Sequence, residues 1–446
     1  MAVTDSSLIQ KGKEKQLLDD GSIHRWYRFV LAFPDCLVTE MCERFNVAQS
    51  DIVLDPFCGT GTTLVECQKM GLNAVGLEAN PACVFASRIK TTWDIDIAHL
   101  RVALEKIIEQ AQPICDELTF SAQPLFAGMF NAGNLKKRLL SNSPEGQYFV
   151  SSGMLKRKWL SEIPFYKVLA LLEEIKGLKD KTKVQDTLRL ALAAILVETA
   201  SNVSFGPEIY VSGHKDDVDV LGAFRAKVEA MISDLETIQA TFPAGRSLVL
   251  SGDARECACV LAQNDVQPVD FVITSPPYPT EKDYTRQTRL ELVFLGYVHD
   301  TESLRRIKRA MVRSHSKGIY KSDNDGQWVA NVPEVRAIAD ELRVKIRDKT
   351  YGFAKLYPRI IEEYFGGMYR HLRSLNETLI SGGRCAYVVG DQRTYLQTFT
   401  PTGKILGILA EQIGFQVEDV LIWRVRKGTT GSGKEIKEQI VILRKP

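Results

Sequence analysis

The chain predicts an α/β fold. A seven-stranded, doubly wound sheet ends in an antiparallel hairpin, and a mainly helical insertion interrupts it. Three features predict this. Residues 51–78 run strand, glycine turn, helix, strand; five more β-rich segments follow from residue 247 onward; residues 95–244 between them carry helical periodicity.

The elements follow in order. The first ~20 residues are polar, lack the apolar core of a signal peptide and read as a mobile arm. Ile52-Val53-Leu54-Asp55 is the first strand. Pro56-Phe57-Cys58-Gly59-Thr60-Gly61-Thr62-Thr63 then turns into a helix that reaches Met70 and stops at Gly71, a natural cap. Gly59 and Gly61 let the backbone approach a ligand where a Cβ would collide. Asn73–Glu78 is the second strand, with a carboxylate at its tip. This is the βαβ arrangement of a nucleoside-cofactor site, the acid placed to grip ribose hydroxyls. Ser247–Asp253 also ends in an acid, and Asp270–Thr274 follows it. A helix over Tyr364–Leu379 precedes the buried strand Gly383–Gly390. Gln416–Val425 and Glu438–Arg444 flank a polar, glycine-rich loop at 427–433 and form the terminal hairpin. In the insertion, Phe165–Ile175 and Thr187–Ala200 are helical and Phe205-Gly206-Pro207 is a break. Residues 297–350 form a second insertion, charged and helix-prone.

Residues 270–278 hold the most specific chemistry. The apolar run Phe271–Thr274 is stopped by Ser275-Pro276-Pro277-Tyr278, because prolines cannot donate to a sheet ladder. The prolines set a stiff, extended turn with a hydroxyl before them and an aromatic ring after them. Such a turn can receive a planar base with an exocyclic amino group. Ser275 and the carbonyl of Pro276 accept from that group while Tyr278 stacks on the ring. The same residues alone also read as a strand-ending turn.

Asp55-Pro56-Phe57-Cys58-Gly59-Thr60-Gly61-Thr62-Thr63 followed by Thr274-Ser275-Pro276-Pro277-Tyr278 resembles the amino-directed DNA methyltransferases. These move a methyl group from S-adenosylmethionine to N4 of cytosine or N6 of adenine. His24–Phe29 stands at the spacing of that family's additional cofactor segment. Asp283–Arg286 and Arg289–Phe294 follow the catalytic motif as in some bacterial members, and the likeness spans roughly residues 22–94 and 245–446. It implies a Rossmann-like methyltransferase sheet of seven strands.

The resemblance also implies a cofactor site of Arg28, Phe29, Asp55, Pro56, Phe57, Gly59, Thr60, Gly61, Thr62, Glu78 and Asp253. The helix after Gly61 suits the methionine carboxylate. Asp55 can accept from its ammonium, Glu78 from the ribose and Asp253 from the adenine amino group; the lesser reading of each acid is a helix cap or surface charge. The catalytic set is Ser275, Pro276, Pro277 and Tyr278. No cysteine stands at the position a C5-cytosine enzyme requires, and no Gly-x-Ser-x-Gly surrounds Ser275, so direct attack by an amino nitrogen is the remaining chemistry. The target atom lies inside duplex DNA, so the base must be flipped out, with Tyr278 replacing lost stacking.

At 446 residues the chain exceeds the roughly 250–300 of a single core, so two packed units are expected. Residues 1–94 are the cofactor part of the catalytic domain, 95–244 the helical insertion and target-recognition region, and 245–446 the catalytic part with the basic insertion at 297–350. No apolar run is long enough to span a bilayer. Nine cysteines without a Cys-x-x-Cys pair point to buried thiols rather than zinc or disulfides, so no metal is expected. Net charge is +2, and any field for a polyanion must come from local clusters. The best is Arg305, Arg306, Lys308 and Arg309, continuing through Arg313, His315, Lys317 and Lys321. Lys136-Lys137-Arg138 and Lys156-Arg157-Lys158-Trp159 are two more, and Asp283, Tyr284 and Arg286 can line the base pocket; each also reads as solvated surface.

The expectation is a cytoplasmic, prokaryotic enzyme of double-stranded DNA, working beside a restriction endonuclease or another defence component. Serine before the prolines leans toward N4 of cytosine. N6 of adenine, an RNA base methyltransferase and a catalytically silent specificity subunit are the alternatives.

Overall fold

The strands among the described residues are β1 (Ile52–Asp55), β2 (Asn73–Glu78), β3 (Val203–Phe205), β4 (Ile209–Val211), β5 (Ser247–Ser251), β6 (Val269–Thr274), β7 (Leu379–Gly390), β8 (Gln416–Lys427) and β9 (Glu435–Arg444). Seven form one sheet in the order β5-β2-β1-β6-β7-β9-β8, and β3-β4 is a separate hairpin. Within the seven, β9 alone runs against the rest, pairing antiparallel with β7 and β8. The computed structural model describes residues 23–27, 33–123, 132–179, 183–205, 209–242, 245–279, 282–347, 352–393, 395–427 and 435–446. The expected arm at 1–20, Arg28 and Phe29, and residues 428–433 of the hairpin loop lie outside them.

The strand order explains where a site can form. The chain lays down β1, adds β2 and β5 on one side, then returns to place β6 and β7 on the other. The reversal lies between β1 and β6, and doubly wound sheets bind ligands outside the carboxyl ends of strands at such a point. The register pairs Asp55 with Gly76, Leu54 with Val272 and Glu78 with Ser251. The loops after β5, β2, β1 and β6 therefore leave one edge together.

Alternation along these strands builds the two covered faces. Leu54, Val75, Leu77 and Val272 pack under the helices Pro333–Lys345, Tyr357–Thr378 and Thr402–Ile413. Val53, Ala74, Val249 and Ile273 face the helices Cys36–Phe45 and Thr62–Lys69. A third core joins the helices Ile97–Ser121, Glu162–Lys176, Lys183–Ile195 and Val220–Thr241. That core also takes in Trp26, Tyr27, Ala82, Phe85 and the segment Leu290–Val298, so the insertion is fused to the flank of the cofactor half.

Two details differ from the sequence reading. The expected break at Phe205-Gly206-Pro207 is flanked by the hairpin β3–β4. The helix expected from Tyr364 begins at Tyr357, with Pro358 in its first turn, where the missing N–H costs nothing. Gly366 and Gly367 do not break it: Gly366 is where another backbone must touch the helix, and Gly367 is where the Val312 side chain packs on it. A Cβ on Gly366 would come within 2.0 Å of the Asp325 carbonyl oxygen.

Gly366→Ala should therefore destabilise the fold by about 1–3 kcal/mol or more, since neither the helix nor the Asp325–Val329 turn can retreat alone. Chemical denaturation reads this directly, with Gly213→Ala as a control, since Gly213 is exposed and a Cβ there meets nothing within 4 Å.

Candidate active site

The loops at that edge are held by one carboxylate. Asp55, 0% exposed at the tip of β1, accepts hydrogen bonds from three places. Its Oδ1 takes the Phe57 amide at 3.1 Å and the Thr274 hydroxyl at 2.6 Å, and its Oδ2 takes the Thr63 hydroxyl at 2.6 Å. The three donors belong to the glycine turn, its helix and the end of β6, so Asp55 brackets Asp55–Thr63 to Thr274–Tyr278. A carboxylate offers about four acceptor directions. Three are used internally, so as a direct ligand contact Asp55 has one left.

The glycine turn is shaped by Gly59 and Gly61, both in the left-handed region at φ +50° and +87°. A Cβ on Gly61 would lie 2.4 Å from the Ser87 hydroxyl oxygen, whereas one on Gly59 would meet nothing within 4 Å. Open space therefore stands over Gly59. Glu78 closes this turn from the tip of β2: Oε2 accepts the Gly59 amide at 3.0 Å and Oε1 the Asn80 amide at 2.7 Å. Each oxygen retains an acceptor direction, a match for a vicinal diol. Burial pushes the Glu78 carboxyl up to about 7, against the two amide donors. Burial, then Asp55 and Glu78, push the Cys58 thiol well above its ordinary value, so it stays a protonated, packed group.

Pro56, Thr60 and Thr62 are buried in the same turn. Phe57 sets its ring edge-on to His371, centroids 4.8 Å apart. His371 is itself buried between the Ala254 carbonyl (2.9 Å) and the Tyr387 hydroxyl (2.7 Å). The phenyl ring is thus carried toward the loop after β5. There Asp253 caps the turn Ala254–Glu256 and is clasped by Arg255, with Nη2 to Oδ2 at 2.6 Å.

After β6, Ser275 donates its hydroxyl to the Val388 carbonyl on β7 at 3.1 Å, which leaves its oxygen lone pairs for an incoming donor. Tyr364 donates to the Pro277 carbonyl at 2.9 Å. Among the described residues the Pro276 carbonyl has no hydrogen-bond partner. Tyr278 lies against the end of β7: a Cβ on Gly390 would come within 3.2 Å of its Cε2. Its amide is 3.4 Å from the Tyr284 hydroxyl.

The residues expected to meet DNA divide. Asp283, 4% exposed, caps the short helix Tyr284–Gln287 and binds the Lys308 ammonium at 2.7 Å. Burial pushes its carboxyl up, but His315, Lys308 and Thr285 outweigh this and hold it at about 2. Asp283 and Lys308 are thus spent on each other, fastening the helix Thr301–Arg309 to the catalytic loop. Arg305, Arg306 and Arg309 remain exposed on that helix, Arg309 paired with Glu302 at 3.0 Å. Further along, Arg313 is buried against Asp323 at 2.9 Å and His315 is buried, while Lys317 and Lys321 are exposed, so the basic run is interrupted on the surface.

Sequence reasoning missed His371, Tyr364 and Arg255. Arg255 also binds Asp325 and the Arg309 carbonyl, both at 2.6 Å. No local pattern marks these side chains, since apart from Asp253 beside Arg255 their partners are distant in sequence.

Comparison with known proteins agrees with this geometry. Residues 10–87 match a family model described as DNA methylase, of the N6/N4 type. The chain is 24% identical over 460 residues to the Type II methyltransferase M.BsoBI of Geobacillus stearothermophilus, covering 95% of this chain and 86% of the relative. It is 24% identical over 454 residues, with the same coverage, to the Type II methyltransferase M.AvaI of a Nostoc species. A 52-residue stretch is 46% identical to the Type II methyltransferase M.MjaII of Methanocaldococcus jannaschii, covering 11% of this chain and 9% of that one. Among solved structures, TrmN from Thermus thermophilus aligns at a TM-score of 0.32 and 10% identity, covering 96% of this chain and 53% of that one; the fold rests instead on the strand order above.

By these matches the chain is similar to methyltransferases, while its doubly wound sheet is given by its own strand order. More particularly, its N-terminal part is similar to the N6/N4 DNA methylase family, and most of its length to Type II methyltransferases.

The Asp55 bracket has a pH signature. Burial, opposed by the bonds from Thr274, Thr63 and Phe57, pushes its carboxyl up to about 6. The unfolded value is about 4, so between the two the folded state holds more protons and stability falls as pH rises. Thr274→Val removes a donor that favours the ionised form, raising the folded value and extending that fall upward. Urea unfolding should show a loss of about 1–3 kcal/mol, larger at about pH 8 than at about pH 5. An equal loss at both would mean that Asp55 does not change charge in that range.

Proposed function

We propose that the protein transfers a methyl group from S-adenosylmethionine to the exocyclic amino group of a base flipped out of duplex DNA, N4 of cytosine being favoured. The observation that carries this reading is the Asp55 bracket. It fastens the Ser-Pro-Pro-Tyr turn to the glycine turn, so a cofactor on one faces a base on the other. Serine ahead of the prolines supports cytosine, as the family resemblance implies. The restriction–modification relatives support a cytoplasmic enzyme paired with a cognate endonuclease.

Among the described residues no helix is long and apolar enough to cross a membrane. The residues fit the cofactor: Glu78 keeps one acceptor on each oxygen for the two ribose hydroxyls, and open space stands over Gly59. When bound, S-adenosylmethionine supplies an electrophilic methyl group. The chain's own groups do the rest. The N-terminus of the helix Thr62–Lys69 receives the methionine carboxylate, Phe57 packs beside the cofactor and Asp253 faces its adenine. Arg28 and Phe29 are proposed to cover it from the N-terminal segment.

An aromatic amino group is a poor nucleophile, because its lone pair is shared with the ring. Ser275 and the Pro276 carbonyl hold its N–H bonds and turn the lone pair outward, while Tyr278 holds the ring plane. Tyr364 and Val388 fix the turn, so these acceptors are aimed before the base arrives. Tyr284 and Arg286 border the pocket, Asp283 acts by positioning, and Arg305, Arg306 and Arg309 meet phosphates.

The deciding experiment is mass spectrometry of DNA digested after incubation with the protein and S-adenosylmethionine. N4-methylcytosine is expected; N6-methyladenine would overturn the base assignment, and 5-methylcytosine the mechanism. Tyr278→Ala should slow transfer roughly a hundredfold or more, since stacking contributes about 1–3 kcal/mol and misplacement adds to it. It should leave cofactor affinity unchanged, and Cys58→Ser should stay active.

Ribose hydroxyls donate to the ionised form of Glu78, whose carboxyl sits at about 7. Calorimetry should therefore find cofactor affinity rising between about pH 6 and 8. Glu78→Gln should bind weakly and flatten that dependence; an unchanged curve would place the ribose elsewhere.

A further inference from the structure

The helical insertion carries two basic clusters that the catalytic site does not use, and the structure treats them differently. Lys136 pairs with Glu162 at 2.9 Å and Arg138 with Glu173 at 3.0 Å, so two of the three cations in that cluster are neutralised on its own surface and Lys137 stays exposed. Lys156, Arg157 and Lys158 are exposed and form no ion pair among the described residues. Their one anchor is backbone-directed, from an Arg157 amino group to the Ser152 carbonyl at 3.0 Å. Lys158 is held at φ +57°, a left-handed conformation that a side-chain-bearing residue adopts only when its surroundings impose it.

What imposes it is Asn202, 2% exposed. Its Nδ2 donates to the Lys158 carbonyl and to the Ser161 hydroxyl, both at 3.0 Å, and its backbone amide donates to the Trp159 carbonyl at 2.9 Å. Its Oδ1 accepts the Lys215 amide at 3.0 Å. Asn202 leads directly into β3, and Leu160 bridges Ser201 beside it. The cationic turn is thereby riveted to the base of the hairpin β3–β4.

That hairpin has a buried and an open face. Val203 and Ile209 point inward, while Val211 and Phe205, paired with them across the hairpin, are exposed at its margin. Ser204 and Tyr210 are directly opposed on the other face, Ser204 and Ser212 share a hydroxyl contact at 2.5 Å, and Tyr210 is 52% exposed. Of the acids alongside, Asp217 is engaged by Lys167 at 2.7 Å, while Asp216 is exposed and lies 2.9 Å from His214.

We propose that this surface is a DNA-reading element: Lys156, Arg157 and Lys158 bind phosphates, and the open face of β3–β4, led by Tyr210, contacts base edges in the major groove. The inference rests on the reading of the protein as a DNA enzyme. A two-stranded β-ribbon fits the major groove, and hydroxyls with one aromatic ring suit base edges. Three uncompensated cations held in a fixed turn suit the regular spacing of phosphates.

The test measures binding to duplex DNA over a salt series, together with genome-wide mapping of methylated sites, for the full-length protein and two variants. Lys156→Ala/Arg157→Ala/Lys158→Ala should weaken binding to every duplex and reduce the log–log salt slope by about 2–3, at ~0.9 per phosphate contact. Tyr210→Ala should keep the slope, relax the methylated motif and lower the ratio of specific to nonspecific affinity at least tenfold. An unchanged salt slope in the triple variant, or an unchanged motif and ratio in Tyr210→Ala, overturns the proposal. Thermal melting and S-adenosylmethionine binding like the wild type establish that the variants are folded. If the wild-type protein binds duplex with the expected slope changes but leaves it unmethylated, the enzyme reading fails while the binding surface stands; specificity is then read from the affinity ratio.

Discussion

Burying an ionisable carboxyl at the tip of a central strand is costly unless its acceptors are satisfied, and Asp55 is satisfied only if three separate segments converge on it. The Phe57 amide requires the chain to turn at once after β1. The Thr63 hydroxyl requires the helix to start where it does, which in turn needs the left-handed backbone at Gly61. The Thr274 hydroxyl requires β6 to lie beside β1 in its observed register. The same atoms that neutralise this cost therefore decide that the glycine turn and the Ser-Pro-Pro-Tyr turn share an edge. Chemistry that needs two ligands in contact follows from a requirement of folding.

The outer parts of the molecule are tied to that edge by further buried charges. Lys308 meets Asp283 just after the catalytic turn, and Arg255 joins Asp253, Asp325 and the Arg309 carbonyl. The exposed arginines of the helix Thr301–Arg309 are thus placed relative to both the loop after β6 and the loop after β5. On the opposite flank, Leu290–Val298 enters the core of the helical insertion, and Tyr27 donates to the buried Glu291 at 2.7 Å. Surfaces far apart in sequence are set at fixed positions around one cleft.

Much of this was legible in the sequence, for definable reasons. The strands of the sheet announce themselves by short β-rich runs, and the turns by Gly59, Gly61 and Pro276-Pro277, whose backbones allow few alternatives. Glu78 and Asp55 could be picked out because they end strands. The internal role of Asp55 could not, since Thr63 and Thr274 gain their meaning only when β6 pairs with β1. Lys308 and Arg313 read as parts of one basic run, yet both turn inward, because the acids that hold them, Asp283 and Asp323, become neighbours only through tertiary packing. Gly366 lies inside a helix that the sequence does predict, but its role as a contact point for the Asp325 backbone has no local signal. The hairpin β3–β4 was hidden because its strands are three residues each, too short for alternation to register.

The most direct measurement of the central claim is a crystal structure of the protein with S-adenosylhomocysteine and a duplex carrying its mapped target sequence. The account predicts the ribose on Glu78, and one base out of the helix with its ring on Tyr278 and its amino group at Ser275 and the Pro276 carbonyl. A target base still stacked in the duplex, or a cofactor bound away from the Gly59–Gly61 turn, would contradict it.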